Sequence, residues 1–338
     1  MQEKKKSLFV ADIQPGNRVE DIFLLAGKNL SHKKDGNPYL TLVLGDKSGQ
    51  VKGVAWDNVE QLNAAVKAGD FILVDASASE YRGTLQVVVR NMAALPADAV
   101  DPEDYLPATA RNVDHMFERL KGLTESMTSQ PLRELMEAFW RDSDFVAGFK
   151  RSPAAKHMHH AYLGGLLEHT LSMALLGDKI AAHYGGVDRD LLLAGLVLHD
   201  IGKVRELSCD TNIDYTDEGR LLSHIIIALE LVDEKIRRIE AFPSQTATLI
   251  KHMIISHHGA REFGSPEPPK TIEAVLLNYI DEIDSRVNAI REFMAGEDPE
   301  ASWTSYHRLL ERHFYKGDKE KQQLDKGRTA DGAKTPAQ

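Results

Sequence analysis

A single cysteine, Cys209, stands in a chain of 338 residues, so no disulfide can form within it and the thiols for a zinc knuckle are missing. Long apolar runs are absent too: no stretch approaches the ~20 unbroken apolar residues that span a bilayer, and no membrane partner is expected. The opening residues, MQEKKKSLFV, lack the apolar h-region and small-residue cleavage site of an export signal, which makes the cytoplasm the expected compartment. Positive charge is scarce. A formal net charge of −10 argues against a surface that holds duplex DNA, because phosphate contacts need clustered Lys and Arg. The deficit is uneven, since residues 1–95 carry 12 Lys and Arg against 11 Asp and Glu. A modest groove for a single strand therefore stays open there.

What is present fits two soluble domains in sequence. Between Val19 and Met92, short segments rich in Val, Leu, Ile and aromatics alternate with turn signals at Lys34-Asp35-Gly36-Asn37-Pro38, Gly45-Asp46-Lys47-Ser48-Gly49 and Tyr81-Arg82-Gly83. The pattern predicts strands at about 19–30, 39–44, 50–56, 70–79 and 84–91, with a helix over 58–67 between the third and fourth. That order is the order of an OB-fold barrel, a small all-β architecture often used to bind single strands. Domain one is placed at 1–95, and a proline-containing, acidic linker at 96–110. Beyond it the apolar period becomes helical, in runs at 116–123, 132–149, 163–183, 190–199, 221–239, 246–258 and 271–294, so residues 111–314 read as an all-α domain. Residues 315–338 are polar and without period, as expected of a mobile tail. The lysines at 4 to 6 read as a solvated end.

The chemistry is concentrated in the second domain. His169 falls in GGLLEHT, His199 in LVLHDIGK, His224 in LLSHI, and His257 with His258 in ISHHG, all close to small residues at or near helix ends. With Asp200 and Asp281, of NYIDEID, they make a set of imidazoles and carboxylates large enough for two coordination shells of divalent ions. A histidine and a carboxylate joined by one peptide bond can face a common point, and the Asp200 carboxylate has two oxygens with which to bridge two ions. Gly202 is read as allowing a tight turn. The turn would bring Lys203 round to a phosphate oxygen. Two ions ~3.5–4 Å apart can share a hydroxide that attacks phosphorus and can stabilise the leaving oxygen.

The order H…HD…H…HH…D resembles the HD superfamily of metal-dependent phosphohydrolases. More narrowly, HHAYLGGLLEHTLSM, LHDIGK, SHHG and YIDEIDS behind an OB-like domain resemble the YhaM-type 3′-to-5′ exoribonucleases, over about residues 10 to 310. The resemblance implies one metal held by His169, His199, Asp200 and Asp281. It implies a second sharing Asp200 and adding His224, His257 and His258, with either of the last two able to face substrate instead. Lys203 would steady the scissile phosphate, and His159 or His160 would contact substrate or protonate the leaving group. Mn, Fe, Co and Zn all accept such ligands. In the first domain, Tyr39, Trp56 and Tyr81 with Lys33, Lys34, Lys52 and Arg82 form a candidate stacking and charge platform for single-stranded RNA or DNA; the alternative is that Tyr39 and Trp56 simply pack the barrel. Asp284 reads as a salt-bridge or supporting residue, and His115, His183, His252, His307 and His313 as structural.

The function expected is that of a metal-dependent exonuclease yielding 5′-mononucleotides. Two alternatives stay open: the same site acting on a small nucleotide such as a cyclic dinucleotide or an alarmone, or a nucleic-acid-binding regulatory protein whose metal site is idle.

Overall fold

A computed structural model of the chain describes residues 5–317 except 34, 82, 97, 98, 157, 210 and 211. Lys34, Arg82 and the tail from residue 318 onward thus lie outside the described residues. Contacts divide the chain into two compact units, Met1–Ile280 and Asp281–Gln338.

Five strands, β1 (Arg18–His32), β2 (Pro38–Asp46), β3 (Gly49–Ala55), β4 (Phe71–Tyr81) and β5 (Thr84–Leu95), close a barrel in the order β1-β2-β3-β5-β4. Closure depends on β1, whose first half pairs with β4 from Arg18↔Ser77 to Leu24↔Phe71 and whose second half pairs with β2 as far as His32↔Pro38. The changeover lies at a register shift between Leu25 and Gly27, a bulge that lets one strand coil from one side of the barrel to the other. A short parallel pairing of β3 with β5, Lys52↔Gln86 to Val54↔Val88, completes the ring. Alternating residues such as Val19, Phe23, Leu25, Leu40, Leu42, Leu44, Ile72 and Val74 fill the interior, and α1 (Val59–Ala65) contributes Val59 and Leu62 to it. This is the OB-fold barrel that the turn signals predict.

The N-terminal segment is a structural part of this barrel. The Lys6 side chain is wholly covered: its ammonium lies 3.1 Å from Asp46 Oδ2, donates to the Ile22 carbonyl at 2.7 Å and sits 3.9 Å from the Phe23 ring centroid. Lys6 is therefore not the solvated end its neighbours in sequence suggest. Its buried acid partner and aromatic floor replace the water it gives up.

Helices follow: α2 (Val113–Glu125), α3 (Gln130–Trp140), α4 (Ser143–Arg151), α5 (Gly165–His183), α6 (Arg189–Leu198), α7 (Lys203–Glu206), α8 (Asp217–Ile236), α9 (Ser244–Ser256) and α10 (Ile272–Ala295). Polar side chains start four of them: Asn112 accepts from the His115 N–H, Asp142 from Phe145, Asp188 from Leu191 and Thr216 from Gly219. The Asp142 cap breaks the single run expected over 132–149 into α3 and α4. Helix α6 is apolar on every side from Leu191 to Leu198, and it is buried throughout, packed against α5 and α9. That core fixes the helix end from which the site is built. An antiparallel hairpin of β6 (Leu207–Cys209) and β7 (Ile213–Tyr215) interrupts the helices, an element the periodicity did not announce. Among the described residues no helix is long and apolar enough to cross a membrane. In the smaller unit, bridges Trp303↔Tyr315 and His307↔Arg312 form an irregular hairpin, with Phe293 set edge-on to His307 at 4.5 Å.

Candidate metal centre

Five elements of the first unit bring the histidines together: α5 carries His169, the end of α6 carries His199 and Asp200, Lys203 opens α7, α8 carries His224, and His257 with His258 ends α9. All but Lys203 and His258 are buried. Asp200 is the hub. Its Oδ2 lies 3.3 Å from His199 Nε2 and 3.8 Å from His169 Nε2, while Oδ1 lies 3.5 Å from His224 Nε2 and 3.6 Å from His257 Nε2. Each carboxylate oxygen thus faces its own pair of imidazoles. His258 joins the second pair, because ligand atoms of His224, His257 and His258 all lie within 4.8 Å of one another. Lys203 Nζ approaches Asp200 Oδ2 at 2.5 Å, so this lysine touches the hub itself.

The rings are held by their other nitrogen. His199 Nδ1 lies 3.0 Å from the Leu196 carbonyl, and His257 Nδ1 2.6 Å from the Ile254 carbonyl. A carbonyl can only accept, so both Nδ1 atoms carry the proton and both Nε2 atoms turn a lone pair inward. His224 is anchored by a carboxylate: Glu206 Oε1 accepts its ring Nδ1 at 2.9 Å and its backbone N–H at 2.8 Å. The Nε2 atoms of His199, His224 and His257 and Asp200 Oδ1 are buried without a hydrogen-bond partner. Four such atoms gathered around one buried carboxylate would be costly unless cations took their lone pairs. The donor set, imidazole nitrogen and carboxylate oxygen, fits divalent metal.

Electrostatics favour a charged Asp200 beside a neutral His257 ring. Burial pushes the Asp200 carboxyl upward, but Lys203, His199 and His224 outweigh it and hold Asp200 well below its ordinary value. Burial pushes the His257 imidazole well below its ordinary value, with Asp200 opposing. Glu206, which burial alone would raise, is brought below its usual range by His224.

Two backbone features build this geometry. Ser223 has φ 62° and ψ 159°, a conformation that glycine adopts readily and serine does not, and it kinks α8 at the residue before His224. Gly202 was expected to permit a tight turn, yet its φ of −63° is ordinary helix. Its role is close approach: a Cβ there would lie 2.0 Å from the His224 carbonyl oxygen. Sequence reasoning missed Glu206, which stands far from His224 along the chain and shares no periodic spacing with it.

His160, buried and at φ 55°, brings its ring to 5.4 Å from that of His169; His159, at φ 30°, stands 6.3 Å away. Asp281 is the first residue of the second unit, on α10 directly after the buried Ile280.

On the barrel, Tyr39, Lys52, Trp56 and Tyr81 line a groove of about 580 Å³, joined by Asn29 and Gln86. Trp56 is 42% exposed, lies 5.4 Å from the Tyr39 ring and carries the Lys33 ammonium 4.4 Å from its own centroid. Asn29 and Gln86 were not singled out from sequence, although each pairs across the sheet with a groove residue, Asn29 with Thr41 and Gln86 with Lys52.

A closed five-stranded OB barrel followed by helices with a His-Asp doublet at the centre of buried imidazoles defines a protein of the OB-plus-HD class. Family models agree, an OB-fold nucleic acid binding domain matching residues 23–95 and an HD domain residues 166–286. The 3′-5′ exoribonuclease YhaM of Bacillus subtilis is 31% identical over 302 residues, covering 89% of this chain and 95% of that protein. The protein of the same name from Listeria innocua is 33% identical over 307 residues, covering 90% of this chain and 96% of its own. The chain belongs to the YhaM 3′-5′ exoribonuclease family.

Proposed function

We propose that the protein is a cytoplasmic 3′-to-5′ exoribonuclease that draws single-stranded RNA, or DNA, along the barrel groove to a two-metal site and releases 5′-mononucleotides. The observation that carries this reading is the division of Asp200, one oxygen toward His169 and His199, the other toward His224 and His257. Asp281 would complete the first set of ligands and His258 the second. Such ions, drawn from Mn, Fe, Co or Zn, polarise the scissile phosphate and lower the pKa of the attacking water. The protein's own groups do the rest. The Nδ1 anchors keep the Nε2 lone pairs inward, and Asp200 stays anionic between the two pairs. Lys203, paired with Asp200, would also meet a phosphate oxygen. The bond from phosphorus to the 3′ oxygen breaks, and His160 would supply the proton which that oxygen takes up.

A groove bearing Trp56, Tyr39 and Lys52 favours a strand over a small nucleotide, because a small nucleotide needs no stacking guide. The test is digestion of 5′-labelled single-stranded RNA with Mn²⁺ by the parent protein and by the His199→Ala/Asp200→Ala variant. A ladder shortening from the 3′ end with the parent alone is expected; equal digestion by both would reject the assignment.

A further inference from the structure

The loop between α4 and α5 is tied to the end of the interdomain linker. Leu163 N–H donates to the Pro107 carbonyl at 2.8 Å and Thr109 N–H to the Leu163 carbonyl at 2.9 Å. Within this stitching runs a chain of side chains that ends at His160. His160 Nδ1 lies 2.8 Å from Tyr162 Oη; the Tyr162 hydroxyl donates to Glu168 Oε2 at 3.2 Å; Thr109 Oγ1 donates to the same oxygen at 2.5 Å, and Arg111 Nε lies 3.1 Å from Glu168 Oε1. Because the tyrosine gives its hydrogen to the carboxylate, its oxygen is left to accept from His160 Nδ1–H. Nε2 is then the nitrogen turned away from the chain.

The backbone is shaped around the same residue. His159 and His160 both have positive φ, 30° and 55°, which is rare for non-glycine residues and strains the backbone. The His160 carbonyl accepts from the Ala154 N–H at 3.0 Å, and it passes so near Gly165 that a Cβ there would stand 2.0 Å from it. A conformation under this strain persists only where its surroundings determine it.

We propose that Tyr162 and Glu168, braced by Thr109 and Arg111 at the end of the linker, are positioning residues that fix the His160 ring beside the metal centre. The role rests on the proposed function, in which His160 serves the leaving oxygen. The linker thereby forms one wall of the active-site loop in addition to joining two domains.

The experiment is a double-mutant cycle on His160→Gln and Tyr162→Phe, assayed on a labelled oligoribonucleotide with Mn²⁺, with bound Mn²⁺ and the thermal midpoint measured for each variant. Loss of a general acid lowers kcat by about 100-fold or more, and loss of its orientation is expected to lower kcat by about 10-fold with KM within about twofold of the parent. In the His160→Gln background, Tyr162→Phe should change kcat by less than about twofold, since no proton donor remains to be oriented. Manganese content should match the parent throughout. Parental kcat in Tyr162→Phe beside a crippled His160→Gln would overturn the relay alone, as would an equal loss in both backgrounds. Parental kcat in His160→Gln would instead overturn the proton-donor reading. Should Tyr162→Phe lose manganese or its fold, Thr109→Val, which removes the hydroxyl that donates to Glu168 and accepts the Arg111 N–H, is read in the same cycle with the same criteria.

Discussion

One oxygen of Glu206 accepts two hydrogen bonds from His224, from the ring Nδ1 at 2.9 Å and from the backbone N–H at 2.8 Å. A carboxylate in this place fixes the ring and makes Nε2 more basic, as partners behind metal-bound histidines commonly do. Glu206→Ala should weaken Mn²⁺ binding by about 10- to 100-fold in a calorimetric titration. Glu206→Gln, whose amide oxygen still accepts both bonds, should lose much less.

Asp190 joins the start of α3 to the start of α6: its Oδ2 accepts from Thr128 N at 2.7 Å, Thr128 Oγ1 at 2.8 Å and Ser129 N at 2.8 Å. Burial acts to raise its pKa, but the three donors prevail and the folded value lies below the ordinary 3.8. A depressed carboxylate contributes stability that is fully present above its unfolded pKa and is lost as pH falls through the folded one. Asp190→Asn should therefore cost about 1–3 kcal/mol in urea unfolding at pH 7. The gap from the parent should narrow as pH falls below the ordinary carboxylate value and onward through the folded one. A gap constant down to strongly acid pH would show that the charge is not what matters.

Gly202→Ala should be among the most damaging single substitutions in the protein. The new methyl would collide with backbone, the His224 carbonyl at 2.0 Å and the Ala228 nitrogen at 2.8 Å, so α7 and α8 would have to part. The expected loss exceeds about 3 kcal/mol by chemical denaturation. Gly185, with nothing within 4 Å of a Cβ, is the control, and Gly185→Ala should stay within about 0.5 kcal/mol of the parent.

The contrast shows what was legible in the chain. The barrel strands could be read because each is bounded by glycine-rich turns and alternates along its length, and α6 because eight residues from Leu191 to Leu198 are apolar and end at a His-Asp doublet. Features set by contacts between distant segments could not. Gly202 looks like a turn residue until α8 is laid against it. Glu206 resembles any surface acid until Ser223 bends α8 and brings His224 to it. The 132–149 run kept an apolar period through Arg141 and Asp142, so its division became visible only when Asp142 capped α4 and received Lys235 at 2.6 Å. Lys6 gave no local signal, since its acid partner lies across the barrel at Asp46.

Trp56 tests the groove. Stacking of one base on an aromatic ring is worth about 1–3 kcal/mol, so Trp56→Ala should weaken single-stranded RNA binding by about 5- to 150-fold. Lys52→Ala should instead flatten the dependence of log K on log salt by about one ion's worth, whatever the base sequence. Fluorescence anisotropy with a labelled oligonucleotide at several salt concentrations separates the two.

The account stands on Asp200 as a bridge between two sets of imidazoles. Anomalous diffraction at the manganese edge from crystals soaked in Mn²⁺ tests it most directly. It predicts two peaks about 3.5–4 Å apart, one against Asp200 Oδ2 with His169 and His199, the other against Oδ1 with His224 and His257. A single peak, or two peaks of which neither touches Asp200, would contradict it.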